Sequence, residues 1–211
     1  MLPLSREKAR IFRITHVDNL PWILEHGVAC RSSGAFDPGH RNIGDPELIA
    51  KRTTRDVPIA PGGTLSDYVP FYFTSRSPML LNVKTGRNVP TVPMRDIMIL
   101  VSSLPHVASH GIPFVFTDRH AYLAAARFSA DLADLDRIDW EILRGSDFQY
   151  DVNDPGKMDR YQAEALIHDR VPVAALMGIV CHDDVRRERI AALVTEAGYT
   201  IPVVAQPRYY F

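Results

Sequence analysis

Short apolar runs separated by polar turns divide this chain into many small elements, and the period of the runs changes repeatedly along its length. RIFRIT (10–15) predicts a strand. The next stretch, THVDNLPWILEHG, brings Leu20, Ile23 and Leu24 to one side at helical spacing. Asp18 or Asn19 supplies its cap, Pro21 suits its first turn, and Gly27 supplies its stop. Residues 31–44 read as loop; DPELIAKR reads as a short helix with Pro46 in its first turn. VPIAPGGTLSD is a second long loop, and VPFYFT (69–74) is rich in strand formers. SPMLLNV fits a short helix or a turn; RDIMILVSS and PFVFTD predict strands. DRHAYLAAARFSADL predicts an alanine-rich helix capped by Asp118, and IDWEILRG a shorter one. After the turn cluster DVNDPGK, RYQAEALI alternates like a strand and AALMGIVCH reads as a buried one. DDVRRERIAALVTEAG has the strongest helix signal: Asp183 or Asp184 caps it, Val185, Ile190, Leu193 and Val194 line one face, and Gly198 ends it. TIPVVA closes as a strand.

Strands and helices mix without a regular βαβ beat, which predicts an α+β fold. No repeat or linker breaks the pattern, so residues 1–211 are expected to form one domain, and the length suits one core. The composition, 46% apolar and 23% charged, is that of an ordinary globular protein. No apolar run is long enough to span a bilayer, and MLPLSREKARIF lacks the apolar core of a signal peptide, so a cytoplasmic location is expected. Cys30 and Cys181 each sit among apolar residues, as buried thiols do. A net charge of −1 argues against binding nucleic acid by bulk charge. It leaves room for a local basic groove: Lys8, Arg10 and Arg13 group together, as do Lys51, Arg52 and Arg55, and Arg76, Lys84 and Arg87. Arg186, Arg187 and Arg189 read as solvated surface.

Candidate chemistry emerges by elimination. The chain has no G-x-G-x-x-G after a strand, no Walker loop, no G-x-S-x-G elbow and no H-E-x-x-H. His106 and His110 stand four apart but lack a third ligand nearby, which favours surface or capping roles. Four polar positions stand out. His16 lies between a strand and a helix, Arg52 ends a short helix, Tyr72 lies in VPFYFT, and Glu164 interrupts an apolar strand. A carboxylate on an interior strand is costly unless paired or functional. Each of the four alone has an ordinary structural explanation, from a satisfied core histidine to an edge-strand glutamate.

Together they carry a resemblance. RITHVDNLPWILEHG, NIGDPELIAKR, GGTLSDYVPFYFTSRSPMLLN, PFVFTDRHAY and DRYQAEALI run in order from about residue 13 to 168, and the closing RYYF fits as well. These stretches resemble the DarT family of bacterial DNA ADP-ribosyltransferase toxins, and the branch that modifies thymidine more than the guanosine branch. The resemblance implies an ADP-ribosyltransferase fold, with two small antiparallel sheets forming a cleft for NAD, helices around it and no metal. It implies an enzyme that acts on single-stranded DNA, paired with a macrodomain antitoxin of the DarG kind.

By that resemblance, His16, Asn19, Gly44, Arg52 and Tyr72 contact NAD, and Arg52 and Glu164 are the catalytic pair. None of these positions departs from the family pattern. Arg76, Arg87, His120 and Tyr122 are candidates for the DNA strand, with an ion pair or helix packing as their structural alternatives. The competing functions are the same fold acting on guanine, RNA or protein, and a binding module without catalysis. A metal-dependent hydrolase would rest only on His106 and His110.

Overall fold

A computed structural model describes residues 4–211, and all statements of structure concern these residues. Ten strands form: β1 Arg10–His16, β2 Val28–Ala29, β3 Tyr68–Tyr72, β4 Ile97–Ser103, β5 Phe114–Thr117, β6 Phe128–Ser129, β7 Glu164–His168, β8 Arg170–Val171, β9 Gly178–Cys181 and β10 Val203–Ala205. The α-helices are α1 Leu20–His26, α2 Pro46–Arg52, α3 Pro78–Thr85, α4 Leu104–Ser109, α5 Trp140–Gly145, α6 Lys157–Tyr161 and α7 Asp184–Glu196. Eight strands join in the order β10-β9-β4-β1-β3-β7-β5-β6, and β2 and β8 form a separate ribbon. The fold is α+β, as the pattern predicts.

The long sheet is two four-stranded halves. β1 pairs with β4 over seven positions, from Arg10↔Ser103 to His16↔Ile97, and β3 pairs with β7 over five, from Tyr68↔His168 to Tyr72↔Glu164. Between β1 and β3 only Phe12↔Tyr72 is in register. Past that point the halves part, and the cleft opens in the gap. The two expected sheets are these halves, hydrogen-bonded at one point, and β10 adds to the edge in parallel rather than antiparallel fashion. The interior strands are buried on both faces, as Ile97, Met98, Ile99 and Leu100 in β4 and Ala165, Leu166 and Ile167 in β7 show.

Most predicted elements form where expected, and their caps are legible. Asp45 accepts hydrogen bonds from the Glu47 and Leu48 N–H groups to start α2. Asp183 accepts from Arg186 N to start α7, and Gly27 ends α1 at φ 79°. A Cβ on Gly27 would lie 2.7 Å from the Val171 carbonyl oxygen, so the β2–β8 ribbon requires glycine there.

Three expectations are corrected. Residues 118–132 do not form the alanine-rich helix. The Asp118 carboxylate accepts from Arg127 N at 3.0 Å instead of capping, Ala121 N donates to Glu164 at 3.1 Å, and the segment then enters β6. Helix propensity differs by less than about 1 kcal/mol per residue, and these tertiary bonds outweigh it. In RYQAEALI, Arg160 and Tyr161 belong to α6, and the strand starts at Glu164 with no alternation, because β7 is central. On α7, Ile190 and Val194 face the core, while Val185 and Leu193 are exposed, because the helix covers the sheet margin with a narrow stripe. The basic group there is partly structural: Arg186 Nη2 donates to Asp96 at 2.6 Å. No helix of the described residues is long and apolar enough to cross a membrane.

Candidate active site

α2 delivers Arg52 to the cleft. Its start is fixed by Asp45 and Pro46, and beyond its end the Thr53 and Thr54 hydroxyls return to the carbonyls of Ala50 and Lys51. A cation in the last turn also suits the helix dipole. From there Arg52 Nη1 donates to Glu164 Oε2 at 2.9 Å. Glu164 opens β7 opposite Tyr72 and is only 2% exposed. Its other oxygen, Oε1, accepts from Ala121 N at 3.1 Å and lies 3.5 Å from His120 Nδ1. Burial pushes the Glu164 carboxyl up, but Arg52, His120 and the Ala121 N–H together hold it below the ordinary carboxylate range. Glu164 is therefore ionised at neutral pH. Burial, reinforced by Glu164, pushes the Tyr72 hydroxyl well up, so Tyr72 stays a neutral phenol.

These groups line a cavity of about 140 Å³ with Arg13, Ile14, Asn42, Gly44 and Met79. A second cavity, of about 100 Å³, shares Arg13, Asn42, Ile49, Arg52 and Pro70 with the first and continues to Arg31, Phe36, His40 and Tyr68. A small third one extends past Thr15 and Asn19 to Trp22. The three form one elongated cleft across the sheet junction. Two buried donors in it, Arg13 Nε and Arg52 Nη2, have no partner within the protein. Such orphaned cationic donors fit an anionic ligand.

The structure thus brings Gly44, Arg52, Tyr72, Glu164 and His120 to one cavity. At Gly44 a Cβ would meet Ile49 and Met79 at 3.4 Å, so the protein itself leaves room there. Asn19 lines the far extension, with its amide fully engaged. Nδ2 donates to Thr15 Oγ1 and to the Arg41 carbonyl, and Oδ1 accepts from Arg41 N. It pins the 31–45 loop to the end of β1. His16 lines none of these cavities. Burial, opposed by Asp18, lowers its pKa, and the neutral ring accepts from Asp18 N at 3.1 Å to cap the turn before α1.

Tyr122 is exposed beside His120, and its N–H donates to His120 Nδ1. Arg87 is exposed beyond the end of α3. Arg76 braces the C-terminal residues, since its Nε donates to the Tyr210 carbonyl and its guanidinium sits over the Phe211 ring. His106 and His110 pack ring to ring on and just beyond α4, and among the described residues no three His, Cys, Asp or Glu side chains gather as a metal set.

Sequence reasoning did not single out Arg13, Asn42 or His40 for the site. Arg13 had a signal, a charge in the middle of the apolar run RIFRIT. His40 had none; burial and nearby Arg13 drop its pKa to about 4.

A family model described as "ssDNA thymidine ADP-ribosyltransferase, DarT" matches residues 12–211. A DNA ADP-ribosyl transferase of Escherichia coli is 46% identical over 209 residues, covering 99% of this chain and 96% of that protein. The DarT of Thermus sp. 2.9 in complex with ADP-ribosylated ssDNA superposes with a TM-score of 0.90 at 33% identity, over 97% of both chains. Its NAD+ complex superposes at 0.86, over 97% of this chain and 98% of that one. A DNA ADP-ribosyl transferase–glycohydrolase fusion protein of Thermosipho africanus is 23% identical, and this chain spans 51% of it.

Proposed function

The chain belongs to the DarT family of DNA ADP-ribosyltransferases, and from that premise we propose that it transfers ADP-ribose from NAD to thymine in single-stranded DNA, releasing nicotinamide. The observation that carries this reading is the buried pair of Arg52 and Glu164, 2.9 Å apart in a cavity walled by Tyr72 and floored by the sheet junction. NAD supplies the glycosidic bond whose cleavage leaves positive charge on the ribose. Glu164, held ionised and fixed on both oxygens, orients a ribose hydroxyl and stabilises that charge. Its position at the start of a central strand makes it rigid, so little reorganisation accompanies the reaction.

Arg52 commits Nη1 to Glu164 and keeps Nη2 free, which gives it a donor for a phosphate or for the thymine carbonyl as the imide nitrogen gives up its proton to water, bonds to the ribose carbon and displaces neutral nicotinamide. With one donor on Glu164 and one unpartnered, it acts as an electrostatic stabiliser rather than as a base, because a guanidinium is a poor proton acceptor. Tyr72, a neutral phenol at the cleft wall, offers a face for the nicotinamide ring. Gly44 leaves the cavity open beside it. Asn19 and His16 act one step removed, by holding the 31–45 loop and the turn before α1.

The target base has to leave its stack to enter the cleft, which favours single-stranded DNA. We assign His120 and Tyr122 to the rim that meets this base, and Arg87 to an outer backbone contact. Arg76 is assigned to bracing residues 210–211. A macrodomain antitoxin that removes the ADP-ribose is the expected partner, consistent with the fused transferase and glycohydrolase in Thermosipho.

The test is intact mass spectrometry of short DNA strands, each of restricted base composition, after incubation with protein and NAD. An ADP-ribose adduct is expected on thymine-containing strands only, retained with chelator and absent with Glu164→Ala. An adduct on guanine strands alone, or on RNA or protein in place of DNA, would overturn the thymine assignment.

A further inference from the structure

Arg13 stands in the middle of β1, one residue past the single bridge that joins the two half-sheets. It lines all three cavities of the cleft. Its Nη1 donates to the Pro70 carbonyl across the gap at 2.9 Å, while its Nε is buried with no partner. Among the described residues no carboxylate lies within ion-pair distance of it. The acids that line the cleft are occupied: Glu164 by Arg52, Asp45 by the start of α2, and Asp37 by Gly39 N. The residues shared by the two larger cavities therefore include two guanidiniums and no acid. Burial first, and then the charge of Arg52, lowers the Arg13 pKa to about 10, which still leaves it charged at neutral pH. A buried charge without a counterion destabilises a fold, so a ligand is the natural source of the missing anion.

The position of Arg13 indicates which anion. On one side lies the cavity of Glu164, Tyr72 and His120; on the other lies that of Phe36, His40 and Tyr68. A dinucleotide carries its diphosphate between its two nucleosides, and Arg13 and Arg52 stand where the two cavities meet. Resting on the function proposed above, we propose that Arg13, together with Arg52, binds the diphosphate of the dinucleotide across the sheet junction. Arginine suits this role because its forked donors meet two phosphate oxygens at once.

The experiment is titration calorimetry of wild type, Arg13→Met and Arg13→Lys with ADP-ribose and with adenosine. Thermal melts and the affinity for a thymine-free single strand are measured in parallel. The expected result for Arg13→Met is about 10- to 100-fold weaker ADP-ribose binding, the range for hydrogen bonds to a charged group. Adenosine and DNA affinity should be unchanged, and the melting temperature unchanged or raised, because an unpaired charge has left the interior. Arg13→Lys should recover only part of the loss, and it carries the test alone if the methionine variant does not fold: ADP-ribose affinity equal to wild type would then overturn the proposal.

Unchanged ADP-ribose affinity in folded Arg13→Met overturns it directly. A lowered melting temperature with parallel loss of ADP-ribose and adenosine also overturns it, and leaves Arg13 as a brace between strands. A loss confined to DNA overturns the diphosphate assignment in favour of a backbone phosphate. Wild-type protein that binds no ADP-ribose overturns the proposed function, and this inference with it.

Discussion

Glu164→Gln is the substitution that isolates charge from shape. Glutamine keeps the volume, can accept from Ala121 N through its carbonyl oxygen, and leaves Arg52 a neutral neighbour. What it removes is a full negative charge at a position only 2% exposed. Against a developing positive ribose about 4 Å away, at an effective dielectric near 20, that charge is worth about 4 kcal/mol. At about 1.4 kcal/mol per decade the chemical step should slow about a thousandfold. The dinucleotide should bind nearly as before, since the ground state carries less of the charge that Glu164 stabilises. The assay is single-turnover transfer to a thymine strand at saturating NAD, with affinity for ADP-ribose measured separately. A rate within about fivefold of wild type would refute the assignment of Glu164 as the charge-stabilising group. A loss appearing wholly as weaker binding, with the single-turnover rate intact, would make it a binding residue instead.

The same geometry bears on four further variants. Arg52→Met strands the Glu164 carboxylate in the interior and should cost about 3–5 kcal/mol of stability. Arg52→Met combined with Glu164→Met should recover most of the stability and none of the activity, and chemical denaturation of the three proteins with a transfer assay tests this. His40 is half-buried, and burial with the nearby Arg13 charge lowers its pKa to about 4, against an ordinary value of 6.5. The unfolded chain therefore takes up its proton first, and stability should fall as pH drops from about 6.5 to about 4. His40→Asn should flatten that limb, and a wild-type pH–stability profile in the variant would contradict the account. Asn19→Ala removes two hydrogen bonds that hold the 31–45 loop at Arg41 and a third that anchors Asn19 to Thr15 in β1. It should raise amide exchange at Arg41 and weaken NAD affinity more than it slows the saturated rate; unchanged exchange at Arg41 would refute the stapling role.

Much of the fold was legible because most elements carry their own punctuation. Pro46 marks the first turn of α2 and Asp183 caps α7 as expected, while Asp45 and Ser77, which the pattern did not single out, accept the first backbone N–H groups of α2 and α3 in the same way. The cleft was less legible. Glu164 was conspicuous as a charge among apolar residues, and Arg52 and Tyr72 became so by resemblance, but the Arg52–Glu164 contact joins residues 112 positions apart in sequence. Arg13 and His40 illustrate what a linear reading loses. Arg13 looks like one member of a basic group near the start until the splaying of β1 from β3 places it inside the cleft. His40 lies in a loop whose position is fixed by Asn19, well upstream in the chain, and no local pattern encodes that link.

The failure of the alanine-rich segment has a cause tied to the site. Residues 118–127 contain some of the best helix formers in the chain, yet their backbone donors are drawn elsewhere. His120 N goes to the Asp159 carbonyl, Ala121 N to Glu164, and Arg127 N to Asp118. An ionised carboxylate buried at the start of β7 needs donors on both oxygens, and Arg52 supplies only one. The second comes from the Ala121 backbone N–H, which the irregular turn aims at Oε1. The same irregular turn sets His120 against the carboxylate and leaves Tyr122 outward at the rim. Local propensity is thus overridden where satisfying a buried charge is worth more than a few helical residues, and the irregular loop is a consequence of Glu164 rather than a neighbour of it.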